Sequence, residues 1–232
     1  MKKIFFIVIA TALIACKNEH THEHNENREE HAHHDGHNSA NEHMHESTTQ
    51  ELIDRFESPE RDAYQQPTKV LEYLGNVKGL KILDIGAGSG YFSFRLLTAG
   101  ATVIAGDVND EFLAYIKNKK ETQFNNNPNL ELRKLPFDSP NLKPQEVDKV
   151  LIVNTYHHIE NREAYFAKVL KGLKPDGELV LIDFFKKELP VGPPVDHKID
   201  EQQVQQELTK AGFTQFEVTT DLLEYQFIIR AK

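Results

Sequence analysis

The residues able to do chemistry fall in one ordered series from Asp84 onward. Leu83-Asp84-Ile85-Gly86-Ala87-Gly88-Ser89-Gly90-Tyr91 sets three glycines between an apolar strand and a helix. Glycine lets the backbone turn sharply and approach a ligand closely. The helix that starts there offers unpaired N–H groups and a positive end to an anion. A dinucleotide fingerprint needs glycine where Tyr91 stands, and no Gly-Lys-Ser/Thr follows to make a nucleotide phosphate loop. The motif therefore points to a smaller ligand carrying a carboxylate, with Asp84, Gly86, Ala87, Gly88, Gly90 and Tyr91 as its candidate contacts. Asp107, with Val108 beside it, ends the next strand, where open α/β sheets place a carboxylate on ribose hydroxyls. Asp138, in Leu135-Pro136-Phe137-Asp138, is suited to an adenine amino group, and Asn154 closes the strand after that.

Beyond Asn154 stands Tyr156-His157-His158. The two imidazoles sit past the fourth strand, at the edge where ligands bind, and either is a candidate base or acceptor-orienting group. The alternative is structural: one histidine opens the next helix while the other packs beneath a loop. Asp183, at the end of the fifth strand, and His197, in the loop from Pro190 to Lys198, complete a possible acceptor pocket with Tyr156. Together with His157 they are also a possible metal site, although no fixed ligand spacing supports it. Phe56 to Gln66 is expected to fold over the ligand as a lid, with Arg55, Glu57 and Arg61 either facing it or forming a charged helix face.

Positioning these groups requires alternating strands and helices. Val70, Leu71, Leu74 and Val77 share one helical face after Pro67, and Gly75 and Gly79 close that helix. Lys81–Ile85, Thr102–Ala105, Leu130–Arg133 and the continuously apolar Val150–Val153 read as parallel strands. Between them lie helices marked by Phe94 and Leu97, and by Phe112, Leu113 and Ile116 after a cap at Asp110. Asn161 is expected to cap the helix of Phe166, Val169, Leu170 and Leu173. Pro175-Asp176-Gly177 then turns the chain into a strand from Glu178 to Asp183. Asp200 with Gln203 resembles a capping box, Gly212 ends that helix, and Phe216–Thr219 and Tyr225–Ile229 read as a closing strand pair. The alternation predicts a three-layer αβα sandwich: a Rossmann-like, mostly parallel seven-stranded sheet with one antiparallel strand.

With the glycine loop, Asp107, Asp138 and Asn154 in this order, residues 51–232 resemble the class I S-adenosylmethionine-dependent methyltransferases. The glycine motif is similar to that family's cofactor loop, and Asp107 corresponds to its ribose-binding acid. The resemblance is closest to a bacterial branch of predicted methyltransferases, through Arg55-Phe56-Glu57-Ser58-Pro59-Glu60-Arg61, Asn154-Thr155-Tyr156-His157-His158-Ile159 and Gly192-Pro193-Pro194. Tyr64 stands where that branch is expected to carry tryptophan. The resemblance implies S-adenosylmethionine as cofactor and methyl transfer to a small-molecule acceptor.

The first fifty residues are of another kind. Lys2 and Lys3 precede a twelve-residue apolar stretch, Ile4 to Ala15, broken only by Thr11. That is too short to span a bilayer and suits the apolar region of an export signal, residues 1–15. Leu13-Ile14-Ala15-Cys16 resembles the lipobox of bacterial lipoproteins, which implies lipidation of Cys16 and a place in the cell envelope, anchored to a membrane and facing away from the cytoplasm. Residues 16–50 hold nine of the twelve histidines, with Ala32, Ala40 and Met44 as the apolar side chains after Cys16. Such a segment is expected to be a disordered tether. His20, His22, His24, His31, His33 and His34 are spaced to gather around a divalent metal such as Zn, Cu or Ni. This tract suggests a second reading, an envelope metal-binding lipoprotein that keeps an inactive methyltransferase scaffold. One cysteine excludes a disulfide framework and a thiolate metal site. The formal net charge of −9 argues against a nucleic-acid partner.

Overall fold

The structure is a computed structural model that describes residues 47–232. The export signal, Cys16 and the nine tether histidines lie outside the described residues. Among the described residues, no helix is long and apolar enough to cross a membrane.

The first helix, α1 (Thr49–Phe56), begins inside the segment read as tether. Its start is set by a reciprocal capping box: the Glu51 carboxylate accepts the Thr48 N–H at 2.8 Å, and the Thr48 hydroxyl accepts the Glu51 N–H at 3.3 Å. Two short helices follow, α2 (Pro59–Gln65) and α3 (Pro67–Leu74), each with proline at its first turn, where a missing N–H costs no hydrogen bond. Helix α3 stops earlier than its apolar stripe suggested. Gly75 turns it off with φ at 74°, and Val77 is buried from the loop beyond.

From there strand and helix alternate: β1 (Lys81–Ile85), α4 (Tyr91–Thr98), β2 (Thr102–Asp107), α5 (Asp110–Gln123), β3 (Leu130–Lys134) and β4 (Val147–Val153). The rest comprises α6 (Arg162–Gly172), β5 (Leu173–Phe184), α7 (Glu201–Lys210), β6 (Phe216–Thr219) and β7 (Gln226–Ala231). Asn109, not Asp110, caps α5, because its extended backbone lets its side chain accept the Glu111 and Phe112 N–H groups. Asp200 caps α7 as expected, accepting the Gln203 N–H at 2.8 Å. At Asn161 the backbone is left-handed (φ 46°, ψ 48°), and the side chain makes no capping hydrogen bond.

Seven strands form one sheet in the order β3-β2-β1-β4-β5-β7-β6. All neighbours are parallel except around β7, which runs antiparallel to both β5 and β6. This is the Rossmann-like fold of methyltransferases. Pro175-Asp176-Gly177 does not turn the chain before a new strand; it lies within β5, where the register against β4 shifts in a bulge between Val147 and Lys149. A Cβ at Gly177 would lie 2.9 Å from the Lys174 carbonyl oxygen, so the bulge needs glycine there.

Successive strand residues point to opposite faces, and the core divides accordingly. Leu83, Ile85, Val150, Ile152, Leu179 and Leu181 pack under Phe166 and Val169 of α6 and Val204 and Leu208 of α7. Ile82, Val103, Leu151, Val153 and Val180 pack against Val70 of α3, Phe92 and Leu96 of α4 and Ile116 of α5. Both faces of the central strands are dry, which explains why Val150–Val153 of β4 reads as an unbroken apolar run. The shared register brings the carboxyl ends of β1, β2 and β4 to one edge, so the sheet itself gathers Asp84, Asp107 and Asn154.

Candidate active site

The glycine loop crosses this edge with Gly86, Gly88 and Gly90 all at positive φ. A Cβ on Gly86 would overlap the Thr155 side chain at 2.4 Å, and one on Gly88 would press the Phe56 ring at 3.1 Å. The loop is therefore thin because chain crowds it on both sides, from the end of β4 and from the end of α1. Gly90 opens α4 without a side-chain cap, and of the first-turn N–H groups that of Ser93 turns to the Asp84 carboxylate.

Two buried carboxylates flank the loop. Asp84 accepts the Ser93 hydroxyl at 2.6 Å, and burial pushes its pKa up to about 6, with Ser93 and the charge of Arg61 opposing the rise. Asp107 accepts backbone N–H groups from Gly88 and Asn109, each at 2.8 Å. Burial raises its pKa too, against those hydrogen bonds. Val108 and Phe137 follow the ends of β2 and β3 as exposed apolar side chains.

The segment expected to be a lid does lie against the loop. The Arg61 guanidinium stacks 4.1 Å from the centre of the Tyr91 ring and 5.4 Å from that of Phe56. Its Nε is buried without a hydrogen-bond partner, and desolvation lowers its pKa while Asp84 and Glu57 hold the charge on. Ser89 Oγ is likewise buried and unpartnered. Of the other two charged residues singled out by sequence, Glu57 pairs with Lys119 at 2.8 Å and Arg55 is exposed, so of the three only Arg61 stacks on the loop's Tyr91. Tyr91 turns its side chain to the lid: its hydroxyl donates to Asp62, and the Arg95 guanidinium lies 3.8 Å from the ring centre. Asp62 also pairs with Arg95 at 3.0 Å, which ties α2 to α4.

Past the ends of β4 and β5, His157 Nδ1 lies 2.9 Å from both carboxylate oxygens of Asp183, with side chains only 3% and 4% exposed. Asp183 is itself fixed by the Phe184 N–H at 2.8 Å. The His158 ring centre is 4.2 Å from that of His157. Burial pushes the His158 pKa down to about 3, and the neighbouring imidazoles of His157 and His197 add to this, so it stays neutral at ordinary pH. His157, His158 and Asp183 thus do meet, and His197 lies near enough to act on His158 through its charge. They do not form a metal site: among the described residues there is no group of three or more His, Cys, Asp or Glu side chains placed to hold a metal ion.

Two expected contacts are elsewhere. The Asp138 side chain is 80% exposed and pairs with Lys168 at 3.0 Å, which keeps it on the surface rather than over an adenine. Tyr156 is fully buried, its ring tilted 5.0 Å from Phe166 and its hydroxyl donating to Glu207 at 2.6 Å; it is core, not pocket lining. Asn154 has left-handed backbone (φ 55°), and its side chain is joined to Gln65 and Gln226. Neither glutamine, nor Ser93 or Asp62, was indicated by sequence, since each matters through a distant partner and belongs to no local motif.

Comparison with known proteins agrees with this geometry. The model of a family described as a methyltransferase domain matches residues 76–226, and the chain belongs to that family. A S-adenosylmethionine-dependent methyltransferase from Aquifex aeolicus superposes with a TM-score of 0.72 at 26% identity, covering 80% of this chain and 98% of that one. A type 11 methyltransferase, described as putative, from Sulfolobus solfataricus superposes with a TM-score of 0.57 at 25% identity, over 70% of this chain and 90% of its own. Among curated sequences, a tRNA U34 carboxymethyltransferase of Pseudoalteromonas translucida is 34% identical over 115 residues, or 49% of this chain. The chain spans only 34% of that relative's length.

Proposed function

We propose that this chain transfers a methyl group from S-adenosylmethionine to a small acceptor whose reacting atom carries a proton. The observation that carries the reading is the unsatisfied polar set around the glycine loop. Buried Arg61 Nε and Ser89 Oγ lack partners, and two carboxylates are held at raised pKa beside them. A zwitterionic amino-acid tail and a ribose supply what each of these groups lacks: a carboxylate for Arg61, an ammonium for Asp84 and hydroxyl donors for Asp107.

The bound donor presents a methyl group on a positively charged sulfur, and transfer needs an acceptor lone pair aligned with that bond. The chain's own part is to orient and to move a proton. Asp183 holds Nδ1 of His157, which leaves Nε2 as the proton-accepting nitrogen. Neutral His158 lies tilted against that ring and adds no like charge when His157 takes up a proton. Burial of the His–Asp pair favours an acceptor that reaches it through a small group.

The tRNA-modifying relatives raise a nucleic-acid acceptor against the expectation drawn from charge. The net charge of −9 and the acid-flanked loop favour the small molecule. Offering labelled donor with an RNA fraction and with a small-metabolite fraction distinguishes the two. Calorimetry with S-adenosylmethionine tests the core of the proposal. The full chain binds, the demethylated product competes, and Asp107→Ala weakens binding by about tenfold or more. No heat and no competition would overturn it.

We infer further that the chain is exported and lipidated at Cys16, supported by Lys2, Lys3, the apolar stretch and Leu13-Ile14-Ala15-Cys16. Mass spectrometry of the Cys16 peptide checks this. The histidine tract favours metal capture by the tether as a separate activity. Failure of donor binding with retention of Zn or Cu binding would make that the main one.

A further inference from the structure

Three side-chain amides close a ring over the end of β5. Gln65 Nε2 donates to Gln226 Oε1 at 2.9 Å, Gln226 Nε2 donates to Asn154 Oδ1, and Asn154 Nδ2 donates back to Gln65 Oε1 at 3.1 Å. One amide comes from the lid helix α2, one from the start of β7 and one from the residue after β4. Because β5 lies between β4 and β7, the ring bridges its carboxyl end. There Phe184 pairs with Gln226, and the adjacent Asp183 holds His157.

Gln65 and Gln226 are fully buried, so each depends on these bonds for its satisfaction. Three apolar side chains would cover the same place without needing partners, but they would fix no direction. A closed ring of donors and acceptors forms in one arrangement and loosens as a whole when one member leaves. Helix α2 also carries Arg61 and Asp62, so the ring sets where the donor-side groups sit. The helix ends at Gln66, which is left-handed (φ 44°, ψ 62°) directly before Pro67, a conformation that sterics disfavour before proline. The ring and the Asp62 contacts hold the chain against that joint.

We propose that the Gln65–Gln226–Asn154 ring latches α2 in register with the strand ends of both half-sites, which makes Gln65 a positioning residue for methyl transfer. Opening the ring lets α2 swing about Ser58 and Gln66 and uncovers the glycine loop. Closing it seats Arg61 over the loop while Gln226 steadies the end of β5 beneath His157. This rests on the donor reading given above.

The test uses the full chain and S-adenosylhomocysteine as probe, with binding followed by surface plasmon resonance. Gln65→Leu and Gln226→Leu each speed both association and dissociation, dissociation by about tenfold, while Kd rises only about threefold or less. The double variant behaves like either single, because one missing amide already opens the ring. A merely structural role would weaken binding without speeding association. Unchanged rate constants, slower association, or additive effects in the double variant overturn the latch. A wild-type chain that does not bind the probe overturns the donor reading instead. Hydrogen exchange then decides the latch: faster exchange across residues 57–66 in Gln65→Leu supports it, and unchanged exchange overturns it.

Discussion

The two edges of the sheet treat charge in opposite ways. Where the chain enters β1, β4 and the straight part of β5, the buried Glu178 and the partly buried Glu146 and Asp148 are matched by cations. Glu146 meets Lys81 at 2.9 Å and Arg133 at 2.8 Å, and Asp148 meets Lys174 at 2.9 Å. Glu178 meets Lys149, with Arg230 at 3.5 Å and Lys232 at 3.9 Å beyond. Arg133, through its hydrogen bonds, holds the Glu146 carboxyl well below the usual carboxylate range. At the carboxyl edge Asp84 and Asp107 are buried with neutral donors and rise instead. Charges that the protein satisfies hold the fold together; charges left in want mark where another molecule belongs.

This contrast gives opposite slopes with pH. A folded-state pKa of about 6 at Asp84, against an ordinary 3.8, means that the native state binds the extra proton between those values. Stability from this group is present below about pH 4 and is lost as pH rises through 6, which costs on the order of 3 kcal/mol at neutral pH. Glu146, lowered from 4.5, contributes stability above that value and loses it as the pH falls further.

The strongest way to break the comparison is therefore Asp84→Asn. It raises stability at pH 7 by up to about 3 kcal/mol, has little effect at pH 4 and abolishes donor binding, as thermal melts at both values and calorimetry will check. Equal effects at the two pH values would remove the uncompensated acid from the argument. Next in size, Glu146→Gln lowers stability by about 2 kcal/mol, discounted for the partial exposure of Lys81, and leaves donor affinity unchanged. A loss of donor affinity there would blur the two edges into one. Arg61→Gln, the smallest change, weakens donor binding by about tenfold with the melting temperature held, and an unaltered affinity would strip the lid arginine of its role.

Much of this was legible in the sequence. The layered fold follows from apolar runs at two periods, and the glycine loop, Asp84 and Asp107 follow from a local motif at strand ends. His157 and Asp183 were placed together because successive parallel strands end at the same edge. The errors share a cause. Tyr156 stands beside the dyad in sequence, but the short turn Tyr156–His158 aims it inward to Glu207, fifty-one residues away. Asp138 is drawn outward by Lys168, thirty residues on. The amide ring joins residues 161, 72 and 89 positions apart, and its glutamines carry no periodicity or motif. Pairings of that range are set by the finished fold, where a partner a few ångströms away decides the direction of a side chain.

Strand β7 belongs to both edges. Its first residue, Gln226, sits in the amide ring, and four residues on, Arg230 stands beside Glu178 and Glu217. Peeling that ribbon from β5 would open the amide ring beside the His157–Asp183 pair and strand the buried Glu178 carboxylate in the same event. Damage at one end of the ribbon is thereby coupled to damage at the other.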